Sequence, residues 1–152
     1  MKRIQFIRPL VERIREGKAV CTYRKDPRAY SGEYQVITSR FQKKTNSDLS
    51  IEVYLTGKVV ASELEENDAR LAGLPLKPEE LPQGAKKIWL EYSEHERKER
   101  PAHTQFLPLL KNWYGEIPEV MWRNRFRVIP PKESQGLSPS PESGANASEI
   151  QI

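Results

Sequence analysis

The sequence has few of the residues that mark disulfide-bonded, metal-binding or membrane proteins. It contains one cysteine among 152 residues, so no internal disulfide can form, and this composition favours a reducing, cytoplasmic environment. With one cysteine and two histidines, a zinc site is not expected. No apolar run approaches the roughly 20 residues of a membrane-spanning helix, and the first residues lack the apolar segment of a secretory signal. We therefore expect no metal, no cofactor and no membrane partner.

Charge is unevenly distributed along the chain. The formal net charge is +4, yet residues 1–60 hold 13 Lys and Arg against 6 Asp and Glu, a balance of +7. Residues 61–100 carry −3, residues 101–130 carry +2 and residues 131–152 carry −2. A basic first half and a basic last strand attract a polyanion when they share a face. Ordinary solvated lysines and arginines give the same count, so charge alone leaves both interpretations open.

Hydrophobic periodicity and turn residues predict one α+β domain over residues 1–129, followed by a tail. Residues 130–152 are rich in proline and serine and are expected to be disordered, because they bury too little apolar surface to offset the entropy of ordering. Strands are predicted over residues 2–7, 20–24, 34–39, 50–55, 58–61 and 119–129. Helices are predicted over residues 9–16, 63–71, 85–100 and 104–113. Strands interleaved with a few helices, without regular β–α–β alternation, favour a small mixed or antiparallel β-barrel.

One predicted strand carries a hydroxyl and a planar cation on the same side. Alternate residues of a strand share a face, so Thr22 and Arg24 lie on the side opposite Cys21 and Tyr23. Cys21 and Tyr23 are interpreted as the core side. A guanidinium is a rigid fork of donors, so the pair suits a phosphate, a carboxylate or a nucleobase edge. The simpler alternative is a surface strand with ordinary polar residues.

The closing strand places three arginines on one face. Arg123, Arg125 and Arg127 alternate with Trp122 and Phe126, which lie on the other side. Readers of single-stranded RNA combine cations for the phosphates with aromatic faces for the bases. An amphipathic strand whose arginines are merely solvated has the same pattern. Beside an already basic first half of the chain, we interpret the pattern as a polyanion-binding strand.

Residues 17–24, which read Gly-Lys-Ala-Val-Cys-Thr-Tyr-Arg, follow a short strand and a helix that begins with proline. This order of features resembles the ASCH domains of the PUA-like superfamily, and the resemblance extends over roughly residues 1–129. Its further matches are short segments at residues 32–34, 64–73, 113–115 and 126–129. The resemblance implies a small PUA-like β-barrel with flanking helices and a cleft that faces nucleic acid or a nucleoside.

The resemblance also implies two kinds of activity. Members of the family are linked to RNA binding, and some small members hydrolyse the acetyl amide of modified cytidine. In the hydrolytic members the strand reads Gly-x-Lys-x-x-Thr-x-Arg, and a glutamate lies late in the helix after the central strands. Thr22 and Arg24 match this pattern, but Ala19 and Ala72 stand at the lysine and glutamate positions. A threonine hydroxyl needs a nearby base or cation, so hydrolysis would require Lys18 or another carboxylate to activate it.

These features together predict an RNA- or nucleotide-binding module with a basic cleft. The residues assigned to it are Thr22, Lys18, Arg24, Arg28, Arg123, Arg125 and Arg127. Thr22 and Lys18 are the candidates for catalysis, and the five arginines are the candidates for ligand binding. The alternatives are a hydrolase acting on a modified nucleoside or on RNA, and a protein-interaction module whose basic face meets an acidic partner. We expect a monomer or a weak dimer.

Overall fold

The fold combines a five-stranded sheet with five α-helices, as seen in a computed structural model that describes residues 2–26, 31–39 and 49–130. The strands are Lys2–Gln5 (β1), Cys21–Arg24 (β2), Gly32–Ile37 (β3), Ser50–Val60 (β4) and Val120–Ile129 (β5). The helices are Arg8–Arg15 (α1), Glu66–Leu71 (α2), Gln83–Trp89 (α3), Glu94–Glu99 (α4) and His103–Tyr114 (α5). The predicted α+β class is confirmed. Of the predicted tail, residues 131–152 lie outside the described part of the chain.

The sheet is open, so the predicted β-barrel is wrong. Its strand order is β1-β3-β4-β5-β2, with β1 parallel to β3 and every other pair antiparallel. Closure would require a ladder between the edge strands β1 and β2. Before β2 begins, the chain instead pairs at Ala19 with Ala72, at the end of α2. Within the described residues, a side-chain hydrogen bond from Arg24 to the carbonyl of Gln5 links the two edges at 2.7 Å.

Two hydrophobic clusters lie on the two sides of the sheet. Alternation along β5 sends Phe126 into one cluster and Met121 into the other, and both side chains are buried. The cluster that contains Phe126 includes Val11 and Ile14 of α1. As predicted, α1 has proline in its first turn and is followed by Gly17, whose φ of 77° is easily adopted only by glycine. The cluster that contains Met121 joins β2 to α2 and α5.

Strand β4 replaces two predicted strands. Residues 50–55 and 58–61 were expected to be separated by a turn at Thr56 and Gly57, but β4 is one strand of 11 residues. Its partner β5 is long and uninterrupted, and Thr56 and Gly57 pair with Asn124 and Arg123 along it. The ladder between β4 and β5 has one irregularity, a register shift of the β-bulge type between residues 53 and 55. Turn-favouring residues are therefore overridden by a continuous neighbouring strand.

The single helix predicted over residues 85–100 is also wrong, because the chain breaks between α3 and α4. Ser93 starts α4, and its hydroxyl accepts a hydrogen bond from the Glu96 amide at 3.1 Å. The Glu96 carboxylate in turn accepts from the Ser93 amide at 3.5 Å, which completes a capping box. The mixed-charge run supports α4, but the Ser-x-x-Glu signal within it marks a new helix start.

Helix α5 forms over the predicted segment, extended by one residue at each end, with Pro108 inside it. Its first turn is held by Glu66 of α2, whose carboxylate accepts from the His103 amide at 2.8 Å. At the other end of the helix, the Tyr114 hydroxyl accepts a hydrogen bond from the Lys25 amide at 3.0 Å. Both ends are therefore tied down, and the carboxyl-terminal half of α5 lies against the edge of β2.

Candidate nucleic-acid interface

A cleft of about 100 Å³ lies between the end of β1, strand β2 and the carboxyl-terminal half of α5. Most of its lining is apolar, and the rings that line it are those of Phe6, Tyr23, Phe106, Trp113 and Tyr114. Thr22 and Arg24 are among its polar lining residues. An apolar cavity of about 150 Å³ holds benzene, so this open cleft of about 100 Å³ has room for part of one planar ring.

Thr22 lies in the floor of the cleft with 6% of its surface exposed. Its hydroxyl accepts a hydrogen bond from Nε of Arg24 at 2.8 Å, and its carbonyl accepts from the Asn124 amide group at 3.3 Å. The prediction that Cys21 and Tyr23 face the core is confirmed, since they are 1% and 5% exposed. Thr22 is nearly as buried, so β2 is covered on both faces and not only on the core side.

The Arg24 side chain links the two edge strands, β1 and β2, by a hydrogen bond. Besides the bond from its Nε to Thr22, its Nη2 donates to the Gln5 carbonyl at 2.7 Å. Its guanidinium carbon lies 4.9 Å from the ring centroid of Phe6 and 5.8 Å from that of Trp113. Distances below about 6 Å are those of cation–π contacts, which restrict the orientation of the guanidinium. Arg24 is therefore a cation at the cleft whose orientation is fixed by its neighbours.

Replacing Arg24 by alanine is expected to lower the free energy of unfolding by about 2 kcal/mol, because two hydrogen bonds to a charged group are lost at a partly exposed position. Lysine at position 24 should recover little of this loss, since an ammonium cannot reproduce the two-nitrogen fork. Urea unfolding of both variants measures the effect. If the Arg24→Lys protein is as stable as the wild type, then the positive charge at position 24, and not its directed hydrogen bonds, stabilises the contact between β1 and β2.

Lys18 lies apart from the cleft. Its side chain is 63% exposed and its ammonium is 3.7 Å from the carboxylate of Glu16, on the turn after α1. Ala19 and Ala72, which the resemblance matches to the lysine and glutamate of the hydrolytic ASCH pattern, face each other in an antiparallel bridge. The two positions that would supply proton-transfer groups are therefore adjacent in space, and both carry a methyl group here. Arg28 lies outside the described residues.

The three arginines of β5 have different surroundings. Arg123 forms an ion pair with Asp68 at 3.1 Å, and Arg127 forms one with Glu52 at 3.4 Å. Arg125, between them, has no hydrogen bond or ion pair with any described residue, and its Nε atom is shielded from solvent. Two of the three charges are therefore compensated by acids of other elements, and Arg125 contributes the least compensated charge of the row.

The Cys21 thiol has the surroundings of an inert core group. Burial raises its pKa, against the opposing influence of Arg125 and Arg123 nearby. A thiol that stays protonated is a weak nucleophile and a weak metal ligand. In the described part of the chain, no group of three or more His, Cys, Asp or Glu residues is arranged to hold a metal ion. The helices of the same ranges include none with the length and apolarity to cross a membrane.

The buried Tyr23 hydroxyl is expected to make the free energy of unfolding depend on pH under alkaline conditions. Burial, and then the carboxylate of Asp68 that its hydroxyl contacts at 3.1 Å, raise the pKa of Tyr23 above the usual 10. The unfolded chain therefore ionises this group first, and the free energy of unfolding should fall as the pH rises above 10. Chemical unfolding between pH 8 and 11.5 measures this. A Tyr23→Phe variant should lose less stability over that range than the wild type, and an identical decline in both would contradict the assignment.

Most of the cleft wall is formed by residues that the local sequence patterns did not indicate. Gln5 and Phe6 come from the end of β1, and Phe106, Trp113 and Tyr114 come from α5. The available signal was the Trp-Tyr-Gly run at the end of a helix, where Trp113 keeps 41% of its surface exposed. A large aromatic side chain left exposed beside an arginine is a binding signal that composition does not reveal.

Comparison with known proteins identifies solved structures that are similar to this chain. The crystal structure of an ASCH domain from Lactobacillus crispatus matches 78% of this chain and 69% of its own, at 15% identity and a TM-score of 0.45. A crystal structure of a DUF984 family protein from Enterococcus faecalis matches 86% of this chain and 75% of its own, at 16% identity and a TM-score of 0.44. No protein-family model and no curated protein matches the chain. An ASCH domain is thus among the solved structures to which this chain is similar.

Proposed function

We propose that this chain is an RNA-binding module that holds one nucleobase of a single strand in the cleft between β2 and α5. The observation that carries the proposal is the position of the Arg24 guanidinium, which is hydrogen-bonded to the Thr22 hydroxyl and in cation–π contact with the rings of Phe6 and Trp113. Proteins read unpaired RNA by stacking bases on aromatic rings and guanidinium planes, and by donating hydrogen bonds to base edges or phosphates. A cleft with room for part of one planar ring suits the edge of a splayed-out base.

Long-range electrostatics support a polyanionic ligand. Residues 1–60 carry a balance of +7, and the half-buried arginine row of β5 adds the uncompensated charge of Arg125, from the face of the sheet opposite Thr22 and Arg24. Arg123 and Arg127 contribute less, since each has an acidic partner. A surplus of positive charge raises the rate of encounter with RNA and makes the affinity fall with salt. The motif resemblance to ASCH domains agrees with this class of ligand.

The hydrolase alternative has weaker support. Nucleophilic attack by Thr22 requires a group that removes the proton from its hydroxyl. Among the residues that the structure describes, the side-chain partner of that hydroxyl is Arg24, a donor, and the neighbouring positions are Ala19 and Ala72. Lys18 pairs with Glu16 on an exposed turn. We therefore assign Thr22 to binding, where it orients Arg24 and faces the ligand.

The test is the affinity for an eight-nucleotide oligouridylate, measured by fluorescence anisotropy over a range of salt concentrations, with the RNA checked afterwards for cleavage. Trp113→Leu should weaken binding by roughly 5- to 150-fold, because stacking of one base contributes about 1–3 kcal/mol. Leu90→Ala, at another exposed apolar side chain, is the matched control and should bind like the wild type.

Intact RNA and a steep loss of affinity with salt are the expected accompanying results. Binding that is insensitive to salt, with no preference for RNA over an acidic protein, would instead favour the protein-interaction alternative. If the wild type cleaves the RNA and a Thr22→Ala variant does not, the result would favour the hydrolase alternative.

A further inference from the structure

A stripe of alternating aromatic and cationic side chains leads away from the cleft across the sheet. Arg24 of β2 is directly opposite Trp122 of β5, and Trp122 is directly opposite Lys58 of β4. Residues that face each other in an antiparallel pair share a face, with their Cβ atoms about 5 Å apart. Trp113 of α5 lies next to Arg24 at the cleft. The stripe therefore runs Trp113, Arg24, Trp122, Lys58, with each residue on a different element.

The row next to this stripe fixes its geometry. Thr22, Asn124 and Thr56 are register partners one step along the same strands and the same face. Asn124 is fully buried, donates to the Thr22 carbonyl at 3.3 Å and accepts from the Thr56 hydroxyl at 2.9 Å. This network links β2, β5 and β4 side by side. The stripe thus rests on a rigid part of the sheet and not on loops.

The far end of the stripe is accessible. Lys58 is exposed and has no ion pair or hydrogen bond with any described residue, Trp122 is half-buried, and Trp113 is 41% exposed. Neighbouring strands are about 4.8 Å apart, so Lys58 on β4 lies roughly 10 Å from the position of Arg24 on β2. The cleft lies on the side of β2 that faces away from β5, so a nucleotide seated in it does not reach Lys58, whereas a strand of several nucleotides does.

We infer that this stripe is a track for single-stranded RNA that leaves the cleft, with a second base against Trp122 and a backbone phosphate at Lys58. The inference rests on the proposed function and narrows it: the ligand is an oligonucleotide and not a mononucleotide or a free modified nucleoside. Sequence-tolerant binding of this kind combines stacking rings with cations that follow the backbone. The alternation of rings and charges across three strands provides both.

The experiment compares uridine monophosphate with the eight-nucleotide oligouridylate, using the wild type and two exposed-lysine variants of equal charge. Lys58→Gln should weaken binding of the oligonucleotide about fivefold at 0.1 M salt and reduce the salt slope by about 0.7, which is the contribution of one phosphate contact. Its affinity for the monophosphate should not change. Lys98→Gln, on the exposed surface of α4, is the control and should leave both affinities unchanged.

Each other outcome overturns the track in a distinguishable way. If the oligonucleotide binds and responds to Trp113→Leu but not to Lys58→Gln, the track is wrong and the cleft remains. If Lys98→Gln weakens binding as much as Lys58→Gln, the effect is one of net charge and the track is again wrong. If the wild type binds no oligonucleotide, the proposed function fails together with the track.

Discussion

Replacement of Asn124 by alanine is expected to lower the free energy of unfolding by about 3 kcal/mol. The side chain is fully buried, its amide group donates to the carbonyls of Thr22 and Trp122, and its oxygen accepts from the Thr56 hydroxyl. Alanine removes all three side-chain bonds, leaves the Thr56 hydroxyl without this acceptor and opens a cavity at the centre of three strands, and the costs add. Urea unfolding followed by circular dichroism measures the change.

A Thr56→Val variant is the matched control for Asn124. It removes one member of the network and keeps the side-chain volume, so a loss of about 1 kcal/mol is expected. If Asn124→Ala costs no more than Thr56→Val, the network does not hold β2, β5 and β4 together. The rigid support inferred for the stripe would then be lost as well.

Replacement of Asp68 by alanine should cost about 3 kcal/mol. Its carboxylate accepts hydrogen bonds from the Tyr23 hydroxyl at 3.1 Å, from Arg123 at 3.1 Å and from the Glu65 amide at 2.9 Å. Alanine removes the helix-capping bond of α2 and two tertiary bonds, one of them to a charged group. The acid therefore joins α2 to β2 and β5, and thermal or urea unfolding of Asp68→Ala reports this link.

Asp68→Asn separates charge from hydrogen bonding at this position. Asparagine has only one acceptor oxygen: where that oxygen keeps the capping bond from the Glu65 amide, the NH2 group takes the other position, donates to the Tyr23 hydroxyl and no longer pairs with Arg123, so a loss of only about 1 kcal/mol is expected. Equal destabilisation by asparagine and alanine would mean that the ion pair, and not the hydrogen bonds, carries the effect.

Local patterns in the sequence predicted the local structure well. The proline and Gly17 around α1, the alternation along β5 and the inward side of β2 at Cys21 and Tyr23 all appear as expected. Each of these features depends on neighbours within a few residues. Where a capping signal was overlooked, at Ser93, one predicted helix became two.

Long-range pairing is the part that the sequence did not reveal. The turn-like Thr56 and Gly57 are held extended by a partner strand more than 60 residues away, and the residue before β2 that forms a bridge, Ala19, pairs with Ala72 at the end of α2. For the same reason, an arginine face on β5 could be predicted but not its acidic partners Asp68 and Glu52. The cleft wall from α5 is likewise a product of tertiary packing.

Binding of RNA at the cleft is tested by mapping backbone amide chemical shifts while the isotope-labelled chain is titrated with the oligouridylate. The largest changes are expected at Thr22, Arg24 and Trp113, with further changes at Trp122 and Lys58, and they should shrink as salt is added. Shifts confined to α3 and α4, or no shifts at RNA concentrations that saturate binding in the affinity assay, would contradict it.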